Sequence, residues 1–156
     1  MKLLISKKYV LIDSVDFNKI SSYSWYLRPY YRSKTKFKVA TATKPIIYMH
    51  RLIMNCPDEL VIDHINGNAL DNRKRNLRVC SVSNNAKNRS KNKNNTSGHT
   101  GVHWCKKNNK WKSRIRCDKK SYHLGFYTNV LDAAKAYNKK SLELFKEFSN
   151  LNRVKY

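Results

Sequence analysis

An acidic residue and a histidine stand side by side, as Asp63 and His64, where a short apolar run ends at the turn signal Asn66-Gly67. The pair is notable because the chain has only 10 acidic residues against 33 basic ones. Carboxylate and side-chain amide oxygens suit Mg²⁺ or Mn²⁺, and a neutral imidazole accepts a proton near pH 7. Hydrolysis of a phosphodiester uses both functions, because a divalent ion offsets phosphate charge and a base activates water. The pair therefore indicates metal-assisted hydrolysis as its candidate chemistry.

These two residues are part of a longer pattern with fixed spacings. The pattern comprises H-R-L at 50–52, D-H-I-N-G-N at 63–68, D-N-R-x-x-N-L-R at 71–78 and S-x-x-x-N-x-x-N at 81–88. Over roughly residues 1–90 it resembles the HNH homing endonuclease family. That resemblance implies a ββα-metal motif, in which two strands and a helix hold one Mg²⁺ or Mn²⁺ ion per active site.

The resemblance also implies a role for each matching residue. Asp63 corresponds to the acidic metal ligand and His64 to the general base that activates water. Asn76 corresponds to the central asparagine, which steadies the loop and orients the histidine. We therefore predict that Asn76 is one of the catalytic residues. Asn85 corresponds to the second metal ligand, and Asn88 to a further asparagine whose role is less defined.

Each of these residues also has an ordinary structural interpretation. Asp63 could cap the turn, and His64 could be a packed, hydrogen-bonded histidine. Asn76 and Asn85 could be turn and helix-cap residues. Only the joint spacing favours a site over these alternatives. His50, which precedes an apolar run, is expected to be structural or to lie near the phosphate backbone, and it is not predicted to be catalytic.

The elements that must position the site read as strand, loop, strand and helix. Leu60–Asp63 is the first strand, Asn76–Val79 the second, and Ser81 or Ser83 would cap the helix. Neighbouring residues on a strand point to opposite faces, so both members of the Asp-His pair face one site only if the strand twists or bulges at its end. Upstream, five short strands are expected at Leu3–Ile5, Tyr9–Ile12, Ser24–Leu27, Phe37–Ala40 and Ile46–Met49, with a short helix after Asp13.

The last third of the chain has a different pattern. Alternating residues at 101–106 and 111–117 predict a hairpin, 121–127 a third strand, and the apolar stripe from Val130 to Phe145 a helix capped by Thr128 or Asn129. The motifs S-G-H-T-G-V-H-W at 97–104, H-L-G-F-Y-T at 123–128 and D-A-A-K-A-Y at 132–137 resemble the plant ethylene-response (APETALA-type) DNA-binding domain. That resemblance implies a three-stranded sheet in the major groove with the helix on its back.

The resemblance and the strand alternation together predict a set of DNA-facing residues. The set is His103, Trp104, Lys106, Lys112, Arg114, Arg116, Tyr122 and His123. Alternation places Lys112, Arg114 and Arg116 on one face of the middle strand, and the two arginines are the best candidates for base or phosphate contact. Trp111 could contact DNA or belong to the core. A solvated basic face is the alternative interpretation.

The charge of the chain constrains its partner. The formal net charge is +23 at pH 7, and the basic excess extends over both halves of the chain. Such a field favours a polyanion, with double-stranded DNA as the default, over a merely soluble surface. No run reaches about 18 apolar residues and no signal peptide opens the chain, so no membrane partner is expected.

The cysteines and the apparent lack of an export signal predict a location. Cys56, Cys80, Cys105 and Cys117 form no C-x-x-C pair and no zinc spacing. We expect reduced structural thiols in the cytoplasm of a bacterial or phage-infected cell.

The sequence therefore predicts an α+β chain that is a metal-dependent, homing-type DNA endonuclease of a phage or mobile element. The predicted parts are an HNH nuclease domain at 1–90, a linker at 91–97 and an APETALA-type domain at 98–152. A non-cleaving DNA-binding regulator is the alternative, and an RNA-associated basic protein ranks last because the stacking aromatics of common RNA modules are absent. A monomer and a dimer are both compatible with the sequence.

Overall fold

The computed structural model describes residues 1–30, 35–42, 44–87 and 94–154. The chain divides into two compact units, Met1–Asn85 and Ala86–Tyr156. Helices and small antiparallel sheets alternate along both units, so the expected α+β class is confirmed at this level. Asn88 and positions 91–93 of the predicted linker lie outside the described residues.

The first unit consists of three hairpins and two short helices, and a third short helix begins in it and ends two residues past its boundary at Asn85. They are β1 (Lys2–Ile5), β2 (Lys8–Leu11), α1 (Phe17–Ser21), β3 (Trp25–Pro29), β4 (Phe37–Thr41), α2 (Met49–Met54), β5 (Val61–His64), β6 (Leu77–Cys80) and α3 (Val82–Lys87). Strands pair as β1–β2, β3–β4 and β5–β6, each antiparallel. Four of the five strands expected upstream of residue 50 are present within one or two residues.

The prediction of a strand at Ile46–Met49 is wrong. Tyr48 makes a single bridge to Ala40, and the chain turns into α2 at Met49. Met49 and Ile53, four residues apart, are both buried, so helical spacing rather than strand alternation places this apolar segment in the core. The helix ends at Met54, and the capping residue Asn55 adopts a left-handed conformation before Pro57.

One apolar core joins these elements and supports the hairpin that carries Asp63 and His64. Its buried members are Ile5, Val10, Ile12, Ile20, Val39, Met49, Ile53, Ile62 and Leu77. Ile62 on β5 and Leu77 on β6 fix the hairpin to it. Two backbone hydrogen bonds tie the β5–β6 loop to β2, from Leu11 N–H to the Leu70 carbonyl (2.8 Å) and from Asn72 N–H to the Leu11 carbonyl (2.7 Å).

The second unit is a three-stranded antiparallel sheet with one long helix. It comprises β7 (Val102–Cys105), β8 (Lys110–Cys117), β9 (Lys120–Tyr127) and α4 (Val130–Phe145), in the strand order β7-β8-β9. Asn129 caps α4, since its side-chain oxygen accepts a hydrogen bond from Leu131 N–H (2.8 Å). The predicted stripe is the buried side of this helix, with Ala133, Ala134 and Tyr137 against the sheet.

Within the described ranges, no helix is long and apolar enough to cross a membrane.

Candidate active site

The loop between β5 and β6 is held by the side chain of Asn76. Its Oδ1 accepts a hydrogen bond from Asn66 N–H (3.0 Å), and its Nδ2 donates to the Asp71 carbonyl (2.8 Å). Asn76 is buried, so these two bonds satisfy polar atoms that water does not reach. Gly67, at φ +71°, supplies the left-handed residue of the turn, and its N–H donates to the His64 carbonyl (2.7 Å). The amide of Asn76 thus joins both ends of the loop that follows His64.

Asp71 is the acidic centre of the same loop. Its carboxylate accepts two bonds from Arg73, from Nε to Oδ1 (2.7 Å) and from a terminal nitrogen to Oδ2 (2.6 Å), and a third from Asn66 Nδ2 (3.0 Å). The Arg73 guanidinium holds the pKa of Asp71 below its ordinary value. The carboxylate therefore remains ionised at neutral pH and keeps the loop closed.

His64 lies between Asn72 and His50. Its Nε2 is 3.2 Å from Asn72 Oδ1, and its ring meets the edge of the His50 ring with centroids 5.2 Å apart. A hydrogen bond to this amide oxygen needs the proton on Nε2, which leaves the lone pair on Nδ1. Burial lowers the pKa of His64, although the bond to Asn72 and the charges of Asp63 and Asp71 oppose the shift. The imidazole is therefore neutral at pH 7, the form that a general base requires.

Asp63 faces a different neighbour. Strand β5 pairs with β6 without a bulge, placing Asp63 opposite Arg78 and His64 opposite Leu77. The buried Asp63 carboxylate receives two bonds from Arg78, from Nε (2.8 Å) and from a terminal nitrogen (2.6 Å), both at Oδ2. The register contains no bulge, so a bulge does not bring the Asp63 and His64 side chains to one face of the strand. The ion pair with Arg78 instead fixes the Asp63 carboxylate at the end of the strand.

Asn85 is carried by α3, directly after β6. Ser81 caps this helix, because its Oγ accepts a hydrogen bond from Asn84 N–H (3.2 Å). Ser81 is one of the two residues predicted as the cap. Asn85 is half-buried. Its side-chain amide and the Asp63 carboxylate offer oxygen donors, and this donor chemistry fits Mg²⁺ or Mn²⁺. The described part of the chain holds no group of three or more His, Cys, Asp or Glu side chains arranged for a metal ion.

Sequence reasoning missed two residues that contact the predicted site. Arg78 could have been found from the hairpin, since a strand register that pairs residue 63 with residue 78 puts a cation opposite the acid. Asn72 could not have been found from the sequence, because its contact with His64 depends on how the loop folds back over β2. Asn72 is fully buried, and its Nδ2 has no hydrogen-bond partner among the described residues.

The second unit presents most of the predicted DNA-facing residues on one surface. Along β8, Ser113 and Ile115 are buried towards α4 while Arg114 and Arg116 are exposed, as the alternation predicted. The cross-strand partners of Lys112 and Arg114 complete this outer face. It comprises His103, Lys112, Arg114, Arg116, His123 and Phe126.

Three predicted DNA-facing residues do not share that outer face. Tyr122 packs with Ile115 on the α4 side of the sheet. Trp104 pairs with Trp111, ring edge to ring face at 5.1 Å, on the same side, although it is 41% exposed. Trp111 itself packs against the core, which resolves its two interpretations in favour of the core. Lys106 lies in the tight turn between β7 and β8.

Comparison with known proteins bears on the first unit most directly. Residues 48–87 match the family model described as HNH endonuclease. The matched segment begins just before α2, includes Asp63, His64, Asn76 and Asn85, and ends with α3. An uncharacterized HNH endonuclease of Acanthamoeba polyphaga mimivirus is 28% identical over 143 residues, which cover 88% of this chain and 71% of the viral protein. No solved structure matches the chain, and neither match identifies an APETALA-type domain.

Proposed function

We propose that the chain is a metal-dependent endonuclease that hydrolyses phosphodiester bonds in double-stranded DNA. The observation that carries the proposal is the environment of His64, a neutral, oriented imidazole beside a strand-end carboxylate, inside the segment that matches HNH endonucleases. His64 accepts the proton of the attacking water through Nδ1 while Asn72 holds Nε2. Asn76 keeps the loop in the conformation that presents the imidazole.

The oxygen donors of Asp63 and Asn85 would hold one Mg²⁺ or Mn²⁺ ion. When bound, such an ion supplies positive charge at the phosphate and stabilises the leaving oxygen. Arg78 neutralises and orients the Asp63 carboxylate. By the family resemblance, the products carry 5′-phosphate and 3′-hydroxyl ends, and the enzyme is of the homing type.

We assign binding and positioning of the duplex to the sheet of the second unit, which extends over the predicted domain at 98–152. Its outer face combines Arg114 and Arg116 with neighbouring histidine and lysine side chains, and arginine can contact guanine edges with two hydrogen bonds. Tethering this face to the nuclease region raises the local concentration of the catalytic residues at bound DNA.

A plasmid assay tests the proposal. Supercoiled plasmid is incubated with the full chain in Mg²⁺, in Mn²⁺ and in EDTA, and binding is followed in parallel by gel retardation. We expect nicked or linear DNA only with a divalent ion, with ends that DNA ligase can reseal. Binding in every condition without any cleavage would favour the non-cleaving regulator, and preference for RNA over duplex DNA in competition would favour an RNA-associated protein.

A further inference from the structure

The β3–β4 hairpin places two cations directly opposite each other. Arg28 and Lys38 are cross-strand partners in the antiparallel register, and both are half-buried. Among the described residues, neither forms a salt bridge with a carboxylate. Like charges at directly opposite positions destabilise a hairpin. The repulsion between the two cations thus lowers the stability of the free hairpin, and a bound anion would relieve it.

Two aromatic rings hold the Lys38 ammonium in place. Its Nζ lies 4.7 Å from the centroid of the Tyr30 ring and 5.2 Å from that of Tyr48. Cation–π contacts of this kind fix a charge without neutralising it. Burial and the Arg28 charge lower the pKa of Lys38, consistent with a cation that has no carboxylate partner within the described part of the chain.

The same rings connect Lys38 to the candidate active site. Tyr48 stacks on His50, with centroids 5.8 Å apart and planes inclined by 22°, and His50 meets the His64 ring edge-on. The positive charge of Lys38 also contributes to the lowered pKa of both histidines. An anion held at Lys38 would therefore lie close to the imidazole that activates water.

We propose that Arg28 and Lys38 form a phosphate-binding site that holds the nucleic-acid backbone next to the phosphate that is cut. The inference rests on the proposed function and adds two positioning residues outside the segment that matches HNH endonucleases. Arginine binds phosphate through paired N–H groups and lysine as a point charge, so together they suit a backbone phosphate of any sequence. Tyr30, 37% exposed, leaves the Lys38 side of the hairpin accessible to a ligand.

The salt dependence of DNA binding tests this site. Wild type, Arg28→Gln and Lys38→Gln, each as the full chain in EDTA, are titrated with a labelled random-sequence duplex at several salt concentrations. Each lost phosphate contact reduces the slope of log affinity against log salt by about 0.9. Lys8→Gln is the matched control, because Lys8 Nζ lies 5.4 Å from the centroid of the Phe37 ring on the other face of β4. It loses one charge and one cation–π contact on the face of β4 opposite to Lys38, and its slope should equal that of wild type.

The outcomes separate this site from the catalytic proposal. A reduced slope in both variants, with unchanged thermal unfolding and a normal slope for Lys8→Gln, supports the phosphate site even if no metal ion elicits cleavage. Wild-type slopes in Arg28→Gln and Lys38→Gln, or an equal reduction in Lys8→Gln, would overturn it even in an active nuclease.

Discussion

At the scale of single residues, the candidate site depends on the hydrogen bonds and the ion pair that hold each candidate reactive group in position. His64 is oriented by Asn72, Asp63 by Arg78, and the loop that follows His64 by Asn76. None of these supporting contacts performs chemistry. They fix the protonated nitrogen, the carboxylate and the backbone in advance, and such preorganisation determines how well a small site works.

Replacing Asn72 with leucine should slow cleavage without weakening DNA binding. The side chain is similar in volume, but the hydrogen bond to His64 Nε2 is lost, so the imidazole is no longer held in one tautomer and orientation. Misplacement of a catalytic group costs about 10²-fold in rate. The single-turnover rate at saturating enzyme measures the effect. Asn68→Ala, in the exposed part of the same loop, is the control, and equal rates for both variants would contradict the role given to Asn72.

His50 should make the first unit sensitive to acid. Burial, with the charges of His64, Lys38 and Arg51, lowers its pKa to about 3. The unfolded chain restores a value of about 6.5, so below that pH the unfolded state binds a proton that the folded state does not, and stability falls as pH decreases. Between pH 7 and pH 5, wild type should lose about 2 kcal/mol more than His50→Phe. Urea unfolding at the two pH values tests this, and equal losses would refute it.

At the scale of elements, the hairpins and the long helix of the second unit followed from the sequence. Alternation, turn residues and caps are local signals, and β5, β6, β8 and α4 appear close to where those signals place them. The strand prediction at 46–49 was wrong because a short apolar run fits a strand and a helix equally well. Only the packing of Met49 and Ile53 decides between them.

The candidate site shows the same contrast between features that local sequence signals predict and features that depend on packing. The candidate reactive residues are predicted from their spacing and the family resemblance. The contacts of Asn72 with His64 and of Lys38 with Tyr48 join residues only eight and ten positions apart, yet they depend on tertiary packing rather than on a local sequence signal. Such contacts leave no periodic trace in the chain. Arg78 is intermediate, because one correct hairpin register would have revealed it.

Gly101, which precedes β7, should be far less replaceable than Gly98. Both have positive φ, +74° and +73°. A Cβ at Gly101 would overlap the Tyr137 ring and lie 2.6 Å from the Arg114 carbonyl oxygen, whereas one at Gly98 would meet nothing within 4 Å. Gly98→Ala should cost about 1 kcal/mol from backbone strain alone. Gly101→Ala should cost roughly 1–3 kcal/mol more from overpacking.

Thermal unfolding of the two glycine variants, followed by near-ultraviolet circular dichroism of Trp104 and Trp111, provides the comparison. Similar midpoints would show that the sheet and α4 do not pack as described.

At the scale of the whole molecule, one chain combines a unit that contains most of the segment matching HNH endonucleases with a second compact unit, and basic residues outnumber acidic ones in both. The net charge of +23 makes non-specific attraction to DNA strong and dependent on salt. Chemistry and binding should therefore be separable by mutation.

The double variant Arg114→Gln/Arg116→Gln should weaken DNA binding and leave the cleavage rate at saturating enzyme unchanged. Both arginines lie on the exposed face of β8 in the second unit, whereas the proposed base lies in the first. Affinity by fluorescence anisotropy and single-turnover rate on the same duplex separate the two effects. Arg153→Gln, an exposed charge outside that sheet, is the control. A lost rate with unchanged affinity would contradict this division of labour.

The comparison of wild type with His64→Ala tests the central claim most directly. The rate of plasmid nicking in Mg²⁺ and the fraction of plasmid bound are measured on the same samples. We predict that the variant binds as wild type does and that its nicking rate falls to the background level. Nicking by His64→Ala at the wild-type rate, or a wild type that binds and never nicks, would contradict the account.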